Sequence, residues 1–191
     1  MDDAVELLSP RLRLRRLRHG DAEAVCAYRA MPEVARFQSW DSYGPADAAA
    51  LIAGQERSPP CAPGSWLQLA LVVAESGDLV GDCGIHFPPG EERQVELGIT
   101  LSPRHQGCGL ATEAVATVVR YVFDSLGKHR IWAVTDADNA AAARLFRRLG
   151  FRQEAHFVEH VRFKGGWGSE CVFALLRREW AERDRSAGRA D

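Results

Sequence analysis

The residues best placed to do chemistry form the run Arg104-His105-Gln106-Gly107-Cys108-Gly109-Leu110-Ala111-Thr112. Gly107 and Gly109 lack Cβ, so the backbone can take conformations closed to other residues and an anion can approach it closely. Beyond them Leu110, Ala111, Ala114, Val115, Val118, Val122 and Leu126 recur at three- and four-residue spacing, which predicts an amphipathic helix over 110–126. The first turn of such a helix carries unpaired N–H groups and the positive end of the macrodipole. The glycine turn is therefore a site for an anion, with Arg104 able to add a charged contact, and a phosphorylated ligand is the natural occupant.

Missing residues narrow the ligand. The chain has no Gly-x-x-x-x-Gly-Lys-Ser/Thr run, and Thr112 stands where a dinucleotide fingerprint needs its third glycine. Immediately upstream, Val95, Leu97, Ile99 and Leu101 alternate with Glu96, Gly98, Thr100 and Ser102, the pattern of a strand with one buried face that Pro103 ends. The order is strand, glycine turn, helix.

The elements that must hold this unit follow from the rest of the chain. Leu12, Leu14 and Leu17 predict an opening strand, Asp21 a cap for a helix over 22–30, and Ala46 to Gln55 a second helix behind an aromatic loop, Ser39 to Pro45. The Pro-rich run 58–64 is a loop. Two strands, 66–75 and 79–87, form an antiparallel hairpin. A strand over 129–135, a helix over 139–149 ended by Gly150, and a last hairpin of 154–163 and 171–176 complete the layout. This is an α/β (α+β) arrangement whose central parallel pair is made across the 110–126 helix. One domain is expected over 1–191, with a core of about 12–180 and a loose tail from about 181.

Composition sets the outer bounds. With 191 residues, 46% of them hydrophobic, the chain can bury one good core and is short for two. A net charge of −2 removes the electrostatic argument for nucleic acid as partner. The basic run Arg11 to Arg18 alternates with leucines and reads as a strand with a solvated basic face. Five scattered cysteines without a Cys-x-x-Cys pair speak for free thiols in a reducing cytoplasm and against a metal site. No run approaches the ~18 apolar residues of a membrane span, and the acidic start is unlike a signal peptide.

Arg104-x-x-Gly107-x-Gly109-Leu110-Ala111-Thr112-Glu113-Ala114, placed after a strand, resembles the pyrophosphate-binding motif of the GNAT superfamily of N-acetyltransferases. Asn139-Ala140-Ala141-Ala142 followed by Gly150-Phe151 matches a second motif of that family. Lys164-Gly165-x-Trp167 with Glu179-Trp180 resembles its ribosomal-protein N-terminal acetyltransferase (RimJ/RimL-like) branch. The resemblance runs from about Leu12 to Trp180. It implies a mixed, mostly antiparallel twisted sheet, with a central splayed parallel pair flanked by helices. It also implies acetyl-CoA as co-substrate, held by Ile99, Leu101, Arg104, Gln106, Gly107, Cys108, Gly109, Leu110, Ala111, Thr112, Asn139 and Phe146, with no metal. The acceptor it implies is a primary amine, either a protein N-terminus or a small molecule, and a homodimer is a further expectation.

Acetyl transfer to an amine needs a base, because an alkylamine with a pKa near ~10 is protonated at neutral pH. Glu96, on the strand leading to the phosphate turn, is the first candidate general base, acting directly or through a water; His86 is the weaker one. The family places an oxyanion-stabilising backbone N–H on a bulged strand near Ile99 to Leu101. It commonly supplies a hydroxyl donor for the leaving thiolate at the positions held here by Ala142 and Phe146, which cannot donate. That departure keeps a second reading open, a non-catalytic CoA-binding sensor or accessory subunit. A covalent acyl-Cys108 route is disfavoured because that thiol would face the pyrophosphate.

Overall fold

The computed structural model describes residues 5–187 of the chain. Its strands are β1 (Glu6–Leu8), β2 (Leu12–Arg16), β3 (Ser65–Val73), β4 (Leu79–Phe87), β5 (Gln94–Leu101), β6 (Arg130–Asp136), β7 (Arg152–Phe163) and β8 (Gly166–Leu176). Its helices are α1 (Ala22–Arg29), α2 (Pro32–Ala35), α3 (Pro45–Arg57), α4 (Leu110–Arg120), α5 (Ala140–Arg148) and α6 (Arg177–Ala187). All eight strands form one sheet in the order β1-β2-β3-β4-β5-β6-β8-β7. Only the central β5–β6 pair is parallel, as the crossover through α4 requires.

Helices cover both faces of the sheet, which is why β3 and β4 are buried along nearly their whole length. On one face the α4 stripe of Leu110, Ala114, Val115, Val118 and Val119 packs with Leu67, Leu69, Ile85, Leu97 and Phe173 in the larger core. On the other, Val25, Tyr28, Ala48 and Ile52 from α1 and α3 pack on Ala70 and Val72. The helix expected over 110–126 holds α-helical bonding to Arg120 and then widens into a π turn over Tyr121–Ser125, within which Val122 and Phe123 remain fully buried. Among the described residues no helix is long and apolar enough to cross a membrane.

The β5–β6 pairing is short. Gln94, Val95 and Glu96 pair with Arg130, Ile131 and Trp132, and there it stops. Beyond that point β5 stays with β4 as far as Leu101, and β6 stays with β8 as far as Asp136. A wedge opens between residues 97–101 and 133–136. The expected bulge in β5 is absent: its register with β4 runs without a shift from His86↔Glu96 to Gly81↔Leu101. Divergence of the two parallel strands, rather than an inserted residue, frees the main chain here.

Three elements differ from expectation. β1 and the single-turn α2 carry too few residues to show a period. The tail expected to be loose from about 181 is helical to Ala187. Glu179 accepts from the Leu176 N–H (2.8 Å), Trp180 packs against the larger core, and Arg183 donates to the Arg148 carbonyl (3.0 Å) while crossing Gly150. Those tertiary ties fix a segment whose own sequence is almost wholly polar.

Candidate active site

The glycine turn sits between β5 and α4, with Gly107 and Gly109 at φ of 78° and 85°, in the left-handed region that favours glycine. Among the described residues no group accepts from the N–H groups of residues 107–112, which converge at the start of α4. Gln106 turns inward and donates to the Leu101 carbonyl (3.0 Å), and the Cys108 thiol donates to the His105 carbonyl (2.9 Å). Arg104 is exposed and makes no hydrogen bond or ion pair with the described residues.

A second arginine, not singled out in the sequence, braces the turn. Arg11 donates through Nη1 to the Cys108 carbonyl (2.9 Å) and through Nε to Glu113 (2.6 Å), and its Nη2 lies 3.3 Å from where a Cβ on Gly109 would sit. Glu113 also accepts from the Arg11 N–H and from the Ser9 hydroxyl, each at 2.7 Å. Burial raises the Glu113 pKa, but these bonds outweigh it and hold the carboxyl below its ordinary value. The basic run read as a solvated face thus contributes its first residue to the site. Nothing in the local sequence announces this, because the partners lie about a hundred residues away.

The wedge between β5 and β6 opens into a cavity of about 450 Å³ that crosses the sheet. On the α1/α3 face its floor is Gln68, Asp82, Gly84, Gly98 and Thr100, roofed by Arg29, Phe37, Gln38 and Trp40. On the α4/α5 face it reaches Ile99, Thr135, Asn139, Ala142 and Phe146. Val161, Phe163, Ser169 and Glu170 of the β7–β8 hairpin form its rim. Lys164 at the hairpin turn pairs with Asp41 (3.0 Å) and donates to the Trp40 carbonyl, tying that rim to the aromatic loop.

Strand register lays Trp66, His86 and Glu96 in one row across β3, β4 and β5, next to the row of Gln68, Gly84 and Gly98; Trp66 lines the cavity, and His86 and Glu96 stand one row behind it. The His86 ring stacks on Trp66 (4.9 Å, 18°), and its Nδ1 lies 3.5 Å from Glu96 Oε2, an ion-pair distance rather than a formed hydrogen bond. Burial pushes the Glu96 carboxyl up; His86 opposes and the Glu170 carboxylate adds to the rise. Trp66 lies so close over Gly84 that a Cβ there would meet its ring at 2.9 Å.

Charge inside the cavity is arranged asymmetrically. Arg29 makes a two-point pair with Asp82 (2.8 and 3.1 Å), under the Trp40 and Tyr43 rings, and Tyr28 and Gln68 also donate to Asp82. Burial opposes the Arg29 charge, but Asp82 more than restores it, so the pair is internally neutral. Asp136 and Glu170 also line the cavity; Glu170 pairs with His160 Nε2 (2.8 Å), whereas Asp136 has no basic partner among the described residues.

The structure therefore divides the residues expected at the site into three groups. Ile99, Asn139 and Phe146 line the cavity, with Asn139 also capping α5 by accepting from the Ala142 N–H (3.0 Å). Leu101, Arg104, Gln106, Gly107, Cys108, Gly109, Leu110, Ala111 and Thr112 belong to the glycine turn, its approach or the first turn of α4. Glu96 and His86 stand together at the cavity's edge. Trp66, Gln68, Asp82 and Arg29 were not anticipated. The first three occupy alternating positions of predicted strands, a weak signal that only the pairing register turns into a floor.

A splayed parallel pair, free N–H groups at the start of the intervening helix and a cavity at the splay are the arrangement of an acyltransferase of the CoA-dependent class. The chain belongs to the GNAT family: residues 11–152 match its acetyltransferase (GNAT) domain. It is 29% identical over 175 residues to the uncharacterized N-acetyltransferase p20 of Bacillus licheniformis, covering 92% of this chain and 98% of that one. The GNAT-family acetyltransferase from Bacillus anthracis superposes with a TM-score of 0.83 at 23% identity, over 92% of this chain and all of the other. A spermidine N-acetyltransferase from Vibrio cholerae, solved with CoA and spermine, gives 0.78 at 21%, over 91% and 99%. The protein is an acetyl-CoA-dependent N-acetyltransferase.

Proposed function

We propose that this enzyme acetylates the primary amine of a small, positively charged acceptor by direct attack in a ternary complex. The observation that carries this is a single cavity joining two unlike halves. The α4/α5 half is lined by Ile99, on the strand that leads into the turn of residues 107–112, whose free N–H groups are suited to the phosphates of acetyl-CoA; Asn139 and Phe146 would flank its pantetheine arm. The α1/α3 half has a neutralised arginine, the unpaired carboxylate of Asp136, the His160-paired carboxylate of Glu170 and the Glu96–His86 pair at its edge.

In this reading Glu96 takes the proton of the incoming ammonium, directly or through a water. A carboxyl pushed up by burial is a stronger base than an exposed one. The freed nitrogen lone pair forms the C–N bond, the C–S bond breaks with its electron pair on sulfur, and the nitrogen sheds its second proton to water as the amide forms. Backbone N–H groups left unpaired where β5 and β6 part are suited to receive the developing oxyanion. A small acceptor is favoured because Lys164 ties the hairpin rim to the aromatic loop across the mouth. The Vibrio cholerae neighbour, named for spermidine, is of the same class.

A second reading, a protein N-terminus as acceptor, draws on the Lys164-Gly165-x-Trp167 and Glu179-Trp180 resemblance and on Trp167, which is 60% exposed at the hairpin end. The test is a thermal-shift series with acetyl-CoA, CoA, NAD and ATP, followed by free-thiol release with polyamines, amino-acid amides and N-terminal peptides. Ligand at ~100 times its Kd adds roughly 2.7 kcal/mol of stability. Thiol release with diamines and none with peptides supports the proposal; the reverse transfers it to the second reading. Binding without turnover on any amine would leave a sensor.

A further inference from the structure

The two positions from which a hydroxyl would be expected to serve the leaving sulfur carry Ala142 and Phe146, and neither side chain can donate. Both nevertheless line the α4/α5 half of the cavity. A third lining residue in the same half carries the missing group. Thr135, near the end of β6, is 8% exposed, and its Oγ1 is buried with no hydrogen-bond partner among the described residues. Buried hydroxyls are nearly always paired, so an orphan on a residue that lines a cavity is a group held for a ligand or a water.

The position is informative as well as the orphaned atom. The last parallel pair is Glu96↔Trp132, so Ile99 and Thr135 stand three residues beyond it on their two strands, at the same level across the wedge. Ile131 and Ala133, which precede Thr135 on its face of β6, belong to the core under α4. The hydroxyl therefore belongs to the face that carries α4, α5 and the anion turn, not to the face with Glu96 and His86. The other polar side chain of this half, Asn139, has its oxygen committed to the Ala142 N–H, which holds the side chain at the cap of α5 and leaves its amide NH2 as the one rival donor in this half.

We propose that the Thr135 hydroxyl is the hydrogen-bond donor to the CoA sulfur, taking over the task that positions 142 and 146 cannot perform. This rests on the reading of the α4/α5 half as the coenzyme side. Thr135 keeps its proton throughout: the C–S electron pair collapses onto sulfur, the hydroxyl donates a hydrogen bond to the resulting thiolate, the ammonium proton goes to Glu96, and the second proton of the nitrogen goes to water as the amide forms.

The test titrates the thiol of bound CoA by the ultraviolet absorbance of its thiolate, in the full chain and in Thr135→Val, Thr135→Ala and Thr135→Ser. Loss of the hydroxyl should raise the bound thiol's pKa by about one pH unit, which is about a tenfold loss of thiolate at fixed pH. Thr135→Ser should restore it. The thermal shift with acetyl-CoA, which has no free thiol, should stay that of the wild type in all three, while single-turnover transfer slows about tenfold in the Val and Ala variants only. An identical thiol titration in wild type and Thr135→Val, with CoA bound to both, would overturn the proposal and leave the coenzyme site intact. Failure of the wild-type chain to bind CoA would instead overturn the reading on which the proposal rests.

Discussion

Glu96 and His86 are direct cross-strand neighbours on β5 and β4, with 3.5 Å between carboxylate oxygen and Nδ1, and the Trp66 ring closes the other side of the imidazole. Neither lines the cavity; both stand one residue row behind it. A base in that place reaches its substrate at the edge or through a water. Glu96→Gln should lower kcat by ~100-fold with little change in acetyl-CoA affinity, the loss typical of removing general base catalysis. Unchanged steady-state rates in this variant would take Glu96 out of the role.

The same carboxyl fixes a pH dependence. Its pKa is raised in the folded chain, chiefly by burial. The folded state then holds the proton more tightly than the unfolded one, so stability falls as pH rises from the ordinary Glu value through the raised one, and the cost persists above it. Glu96→Gln should therefore melt no lower than wild type at neutral pH. In wild type the acidic limb of kcat/KM should lie above the ordinary carboxylate value of ~4.3. Melting curves and rate profiles across the acid range read both.

Glu113 carries the opposite sign. Its pKa is lowered by the Ser9 and Arg11 bonds, so its contribution is fully present above the ordinary Glu value and is lost as pH falls through the depressed one. Glu113→Ala at neutral pH should cost about 1–2 kcal/mol, discounted because Arg11 is half exposed, and should lower Tm by roughly 2–6 °C. The deficit should shrink in acid. Because Arg11 also holds the Cys108 carbonyl, the variant should bind acetyl-CoA more weakly as well, which calorimetry would show.

Gly109→Ala is expected to be the more damaging of the two glycine substitutions in the turn. Both glycines have positive φ, which costs a residue with Cβ roughly 1–2 kcal/mol. Only at Gly109 would the new methyl also meet the Arg11 guanidinium, at 3.3 Å. Acetyl-CoA affinity should fall more in Gly109→Ala than in Gly107→Ala, and equal losses would show that the Arg11 brace is dispensable.

Lys164→Ala removes the tie between the hairpin and the Trp40–Asp41 segment. The expected effect is a several-fold rise in KM for the amine with acetyl-CoA binding unchanged, since the tie borders only the acceptor side of the cavity. A parallel loss of coenzyme affinity would show that the rim organises both halves.

Much of this enzyme was legible in the residues themselves. Strand alternation over 94–101, the glycine turn and the α4 stripe are local patterns with local causes, so the strand–turn–helix unit followed from sequence, as did the parallel pair it connects. Asn139 at the cap of α5 and Gly150 at its end were legible for the same reason. What only the tertiary structure decided depends on contacts between distant residues. Arg11 braces a turn it precedes by almost a hundred positions, register sets Trp66 beside His86 and Glu96, and the polar segment beyond Trp180 is helical because Arg152, Arg148 and the core receive it. Where β5 and β6 cease to pair is likewise decided by their outer neighbours β4 and β8, which hold each strand to its own side. That divergence makes the cavity, and no period in a single strand records it.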